Sequence, residues 1–403
     1  MIATLFDILP TRYNLLPLTY TKSIADIRIG VSTIREKWKK ALNCDIDVLT
    51  EDYLQEKYPQ NFDKNTTLLF INSGFLPEEN VVESIVQLKT DECIYYEDTL
   101  LAAKIQLSKM FSFAQFQEEV VDIFNNNLKK YFVAKEQKLL RITHLWDIFM
   151  LNDVVLKKEV AQMEKVFKPV IFEGNTILGE GKNPLIVEEG AKIYGAILNL
   201  NEGGIYVAKD AEIMEGCCIR GNFALGAHSV VKMGAKIYGG STIGNYCKVG
   251  GELSNVIFND YSNKAHDGFL GNSVIGEWCN IGAGSNASNL KNSYGKVDLW
   301  SFAEKEFMPT DLQFCGLFMG DYTRAGIQTM FNTGSVTGIA ANVFGSGFQK
   351  RNIQSFSFGE KQGNFDSIVK VISKMMFRRN KMLSSSDLKI LKHLYLKLKS
   401  EEK

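Results

Sequence analysis

Residues 207–253 read VAKDAEIMEGCCIRGNFALGAHSVVKMGAKIYGGSTIGNYCKVGGEL. Within them Val207, Ile213, Ile219, Leu225, Val231, Ile237, Ile243 and Val249 stand at consecutive steps of six. Four residues after each comes Ala211, Cys217, Phe223, Ser229, Ala235, Ser241, Cys247 and Leu253, most of them small. The step continues through Phe269, Ile275 and Ile281, and resumes at Met319, Ala325, Phe331, Thr337 and Val343. A period of six fits neither a helix nor a plain alternating strand. It is the hexapeptide pattern of a parallel β-helix, in which aliphatic side chains stack inward and small ones let the chain turn. Three hexapeptides close one triangular coil of roughly 18 residues, so Phe172–Gly347 predicts about ten coils.

Two insertions break the period. One, around Asn199–Gly204, is short; the other, Asn289–Gly316, is long. A solenoid ejects extra residues as a loop on one face, and such loops often carry binding residues. Glycine usage marks the same boundary, since 29 of the 33 glycines fall between Gly174 and Gly347. The first half obeys other rules. Ile2–Phe6, Asp45–Leu49 and Thr67–Ile71 read as strands. Thr33-Ile34-Arg35-Glu36 is a capping box opening a helix through Leu42, and a second helix follows Pro77. Such alternation predicts an α/β sandwich with a largely parallel sheet. Residues from His144 to Val166 read as a connecting helix.

Lys+Arg and Asp+Glu are each 46, so the chain lacks the global charge expected of a nucleic-acid or membrane-surface binder. No apolar run reaches the roughly 18–20 residues that span a bilayer, and the N-terminus does not read as a signal peptide. Seven cysteines without a C-x-x-C pair read as reduced thiols of a cytoplasmic protein, with no metal site. Asp366–Lys403 carries ten Lys/Arg against four Asp/Glu, with Ile368, Val371, Ile372, Met375 and Met376 at helical spacing. It reads as an amphipathic arm capping the solenoid or a neighbouring subunit, the alternative being a phosphate- or nucleic-acid-binding tail.

The runs Asn263-Lys264-Ala265-His266, Phe269-Leu270-Gly271 and Ile275-Gly276-Glu277-Trp278-Cys279-Asn280-Ile281-Gly282-Ala283-Gly284 carry a resemblance. They resemble the acetyltransferase half of the bifunctional glucosamine-1-phosphate N-acetyltransferase/N-acetylglucosamine-1-phosphate uridyltransferase family, in a divergent branch of Bacteroidetes type. The resemblance implies a nucleotidyltransferase-like α/β domain over 1–143 and a connecting helix over 144–168. A left-handed parallel β-helix acyltransferase domain over 169–348 and a C-terminal helical arm over 349–403 would complete the chain. It also implies acetyl-CoA as co-substrate, a sugar phosphate or nucleotide sugar as acceptor, and a homotrimer. Tyr246, Phe258 and Trp278, read as exposed apolar positions, are expected to support side-by-side packing of the trimer.

Acyl transfer to an amine needs a base and a cradle for the thioester oxygen. By resemblance His266 is the general base, Glu252 the acid that orients its ring, and Asn289 lies near the reacting centre. Asn280 matches a sugar-contacting amide and Ala283 a backbone contact to pantetheine. Phe269 stands where the family has a sugar-binding tyrosine, Tyr238 near a family arginine, and Lys296 one residue from a phosphate-binding lysine. Asp321 takes the place of a donor-contacting serine, and a family lysine falls on Ser254. Losing these cations implies a changed or less anionic acceptor. Without the resemblance, His266 reads as a polar turn residue, Asn280 as a ladder asparagine, and Tyr238 and Lys296 as surface residues. His144 and His228 read as structural.

Thr11-Arg12-Tyr13-Asn14-Leu15-Leu16-Pro17-Leu18-Thr19 resembles the second part of the sugar nucleotidyltransferase signature. The preceding Leu5-Phe6-Asp7-Ile8-Leu9-Pro10 has none of the glycines that let backbone N–H groups cradle phosphates. Asn72-Ser73-Gly74 stands where a magnesium-binding aspartate is expected. Arg12 is either a nucleotide-phosphate ligand or half of an Arg–carboxylate pair, and magnesium is expected only if this domain is active. Three functions compete: a sugar acetyl- or acyltransferase of amino-sugar or cell-envelope metabolism, a sugar-1-phosphate nucleotidyltransferase with a structural β-helix, and a non-catalytic trimeric binding protein.

Overall fold

In a computed structural model, residues 2–60, 66–106, 112–120, 128–134, 137–163, 174–179 and 181–401 are described. The expected end of the connecting helix at Val166, the 168/169 boundary and the expected first coil residue Phe172 lie outside them.

Among the described residues the N-terminal sheet has six strands. Ile2–Phe6 lies between Ile46–Leu49 and Thr67–Asn72, parallel to both. Thr99–Gln106 then pairs antiparallel with Thr67–Asn72 and with Glu92–Tyr96, and Lys129–Phe132 closes the edge. The sheet is therefore mixed. Thr33 caps the Ile34–Leu42 helix as its sequence requires, accepting from the Glu36 backbone while Glu36 accepts from the Thr33 N–H. Trp38 of that helix is fully buried and donates to the Phe75 carbonyl. The helix after Pro77 spans Glu79–Val86, burying Val81 and Ile85.

The hexapeptide positions fold into a parallel β-helix of about ten turns. Ile205 pairs with Phe223 and Phe223 with Ser241, a coil of 18 residues. All eight aliphatic positions from Val207 to Val249 are buried in one core. The phase shifts by Leu253, which pairs with Ile237 only 16 residues back; its partner on the next coil is Leu270, so Leu270 points inward and Phe269 sits half-buried. One face also shortens there, Val249 pairing with Lys264, 15 residues on. Coiling continues beyond Gly347, through Asn352–Ile353 and Ser357–Phe358.

The Leu145–Met163 helix joins the halves. Its Asn152 donates to the Gly240 carbonyl and accepts from the Gly30 N–H, tying both to itself. Direct contacts add to this. Lys22 lies 2.5 Å from Glu277 and 3.2 Å from Asp321, and Arg28 lies 2.9 Å from Asp260. The Asn289–Gly316 insertion forms a hairpin, Asp298–Ser301 against Glu306–Pro309. Its Val297 and Leu299 join the core that both halves share, and Phe302 packs edge-on against Tyr20. The arm is two helices, Phe365–Phe377 and Ser385–Glu401. The second returns to the first half, stacking His393 on Tyr53 and pairing Asp387 with Lys57.

One corner of the solenoid carries a ladder of rings, His228 on Tyr246, Tyr246 on Tyr261 and Tyr261 on Trp278, with centroids 4.1–4.9 Å apart. Trp278 is buried and Phe258 is inside the coil core. The expectation that Tyr246, Phe258 and Trp278 form an exposed apolar face is thus corrected: among them Tyr246 alone reaches the surface. The reason is that Trp278 packs against the shared core within the same chain.

Candidate functional site

His266 occupies the turn between Asn263–Lys264 and Phe269–Ile275, and its ring is exposed. Two features shape that turn. Gly268 adopts a positive φ, and a side chain there would collide with the Ser285 carbonyl of the next coil. Lys264 stands in the inward column above Val249, almost fully buried, and donates 2.9 Å to the His266 carbonyl and 3.4 Å to that of Gly250. Burial pushes its ammonium down to about 8, with Asp267 opposing the fall. A buried lysine therefore anchors the backbone of the His266 turn. The sequence carried the signal, a lysine in an aliphatic column, but the phase shift by Leu253 concealed it.

Several expected residues gather on neighbouring coils. Glu252 is the register partner of Phe269. Tyr238 donates its N–H to Leu253 one coil away. Asn289 lies beneath Gly271 and donates to the Asn272 side chain at 2.8 Å. The Ala283 turn stacks under the His266 turn, Gly284 donating to the Asp267 carbonyl. Glu252, however, makes no ion pair with His266: among the described residues the histidine pairs are those of His144 with Asp147 and His228 with Asp210. Register places Glu252 opposite Phe269, three residues past the histidine.

The other candidates lie apart. Asn280 is on a different face, exposed, in register with Asn263 and Arg324. Lys296 pairs with Asp311 inside the insertion hairpin at 2.7 Å. Asp321 is buried at the junction of the halves, accepting from Thr21 at 2.5 Å and from the Glu277 N–H at 2.7 Å. Burial raises its carboxyl above the ordinary value, Lys22 pulling the other way. Asp321 thus ties the N-terminal half to the β-helix.

The signature loop is filled by its own side chains. Asp7 is fully buried and accepts from Arg12, Ser23, Thr50 and the Ile24 N–H. Arg12, 1% exposed, also donates to the carbonyls of Thr19 and Lys22. Of the two readings of Arg12, the Arg–carboxylate pair is the one the structure holds. Asn72 turns back to the Leu100 carbonyl and the Gly74 N–H. Asp7, Arg12 and Asn72 do not fit a magnesium–nucleotide complex, since each is already held by internal partners; the Ser73 Oγ beside them is buried without a hydrogen-bond partner. Among the described residues no cluster of three or more His, Cys, Asp or Glu is placed to hold a metal ion. None of their helices is long and apolar enough to cross a membrane.

An α/β nucleotidyltransferase-like domain followed by a left-handed β-helix defines a two-part transferase architecture. Comparison with known proteins bears on both parts. Residues 3–166 match the family described as Sugar nucleotidyl transferase. The Bifunctional protein GlmU of Wigglesworthia glossinidia brevipalpis is 25% identical over 257 residues, 61% of this chain and 51% of that protein. The Bifunctional protein GlmU of Gloeobacter violaceus is 34% identical over 72 residues, 17% of this chain and 16% of that protein. The alignments thus reach at most about half the length of these relatives. The chain thus resembles sugar nucleotidyltransferases over residues 3–166 and GlmU proteins over the aligned stretches.

Proposed function

We propose that the chain is an acyltransferase of the hexapeptide class, moving the acetyl group of acetyl-CoA to the amine of an amino-sugar phosphate or nucleotide sugar. The reading rests on the exposed His266 ring, projected from a turn that Lys264 anchors and that stacks on the Ala283 turn. In this reading His266 takes the proton released as the amine nitrogen attacks the thioester carbon. The C–N bond forms, the C–S bond breaks, and the thiolate leaves to be protonated. Asn289 and Phe269 flank the acceptor, and the Ala283 backbone lies along the pantetheine. The N-terminal domain serves as a docking element rather than a second catalyst, because the Asp7–Arg12 pair fills its signature loop. A homotrimer working in the cytoplasm belongs to the same proposal.

The test is acetyl transfer to glucosamine 1-phosphate and related amino sugars with acetyl-CoA. His266→Ala should lower turnover by roughly 10²–10⁴-fold, the usual contribution of a positioned base, without changing the melting temperature. Retention of most activity in that variant removes the histidine from the mechanism. In parallel, UTP and a hexose 1-phosphate should yield no pyrophosphate above background; turnover there would restore nucleotidyl transfer as the leading function.

A further inference from the structure

Parallel strands in register place equivalent residues directly above one another, about 4.8 Å apart. On the face that carries Asn280, Lys248 pairs with Asn263, Asn263 with Asn280, and Asn280 with Arg324. This outward column faces the end of the Phe365–Phe377 helix, and the two enclose a cavity of about 560 Å³. Five cations line it, Lys248, Arg324, Lys374, Arg378 and Arg379, with no carboxylate among the lining residues.

Among the described residues those cations have no charge partners. Arg379 donates to the Asn263 side chain at 2.9 Å, a neutral acceptor. The Arg324 Nε is buried without a hydrogen-bond partner, and among the described residues no acid pairs with Arg324 or Lys248. Burial lowers the Arg324 guanidinium, and burial with the nearby Arg379, Lys232 and Arg378 lowers the Lys248 ammonium. Lys374 and Arg378 have a structural use at the negative end of a helix. Arg324 and Lys248 stand on strands, where no dipole accounts for them. A partly buried arginine facing other cations destabilises the fold unless something anionic completes the site.

We propose that the Lys248–Asn263–Asn280–Arg324 column and the Arg378–Arg379 end of the facing helix form a binding site for the phosphate group of a small molecule. The guanidinium groups supply paired donors suited to phosphate oxygens, and Asn280 adds a neutral amide for the atoms that bear the phosphate. The site is concave and local, and the chain has no net charge, which matches one phosphate ester better than a nucleic-acid backbone. The proposal goes beyond acyl transfer: it concerns binding and stands whether or not His266 is a base.

Calorimetry on the full chain at near-physiological salt tests it, with pyrophosphate, glucosamine 1-phosphate, coenzyme A and 3′-dephospho-coenzyme A as probes. At least one should bind at one per chain, and Arg324→Gln and Arg378→Gln should each weaken it about tenfold or more. A preference for coenzyme A over its dephospho form assigns the site to the donor's 3′-phosphate; a preference for glucosamine 1-phosphate assigns it to the acceptor. His266→Ala should bind as the parent does, separating this result from any failure of acyl transfer. Ligand-free Arg324→Gln should melt at or above the parent temperature, since it loses an unpaired charge, while the ligand-induced rise in melting temperature disappears. The proposal is overturned if none of the probes binds, if both variants bind like the parent, or if a short RNA outcompetes every small molecule at the same residues.

Discussion

The signature loop of the first half and the outer face of the β-helix use arginine in opposite ways. Arg12 is enclosed and every neighbour answers it: Asp7 at 2.9 Å, Glu51 at 3.8 Å, and two backbone carbonyls. Arg324 is partly enclosed and unanswered. A closed charge network holds a fold together but leaves nothing to offer a ligand, whereas an open one leaves donors waiting. The comparison teaches that likeness to a nucleotidyltransferase fold does not by itself leave a loop open to a ligand: the donors without partners lie on the β-helix instead. The stretch just after the signature segment is an interface, with Thr21, Lys22 and Arg28 all engaged by the β-helix.

Breaking the closed network should give the largest effect. Asp7→Ala leaves Arg12 charged and buried, and should cost about 3–5 kcal/mol in denaturant unfolding, the range for removing one partner of a buried pair. A loss below about 1 kcal/mol would mean the loop is not structural and would reopen the nucleotide reading.

Lys264 sharpens the contrast from the other side, as a buried cation whose partners are only carbonyls. Its value in the folded chain is about 8 against an ordinary 10.5. Between those values the unfolded chain binds more protons, so this group makes stability rise with pH through that window. Lys264→Met should flatten the rise and stabilise the protein at pH 7 by on the order of 2 kcal/mol. Turnover should nevertheless fall by about tenfold, since the His266 turn loses its anchor and a misplaced base is a slower one. Urea titrations at pH 7 and 9.5, with acetyl-transfer rates alongside, check both halves of this expectation.

The smallest effect belongs to Lys296. Its partner Asp311 is as exposed as itself, both side chains being more than two-thirds open to solvent. Lys296→Ala should change stability by no more than about 0.5 kcal/mol and turnover by less than about twofold. A tenfold loss of turnover would instead mean that the hairpin reaches the acceptor.

Much of the architecture was legible because it repeats. Each inward residue from Val207 to Val231 meets another aliphatic residue 18 positions on, so the period reports packing directly. The capping box at Thr33 and the apolar spacing of Ile368, Ile372 and Met376 are local rules of the same kind, and both hold. Legibility failed where one coil shortened to 15 residues. There the six-residue count put Phe269 in the core, where Leu270 belongs, and hid Lys264.

The sequence by itself determined the β-helix, the α/β domain before it, the helical arm and the turn that carries His266. These follow from periodicity and neighbouring residues, which are short-range properties of a chain. Only the tertiary structure decided which charges are satisfied. Whether Asp321 or Arg324 has a partner depends on segments far away in sequence, as Thr21 meeting Asp321 and Arg379 meeting Asn263 illustrate. Electrostatic pairing is a property of distance in space and of the surrounding dielectric, and no spacing along the chain encodes either.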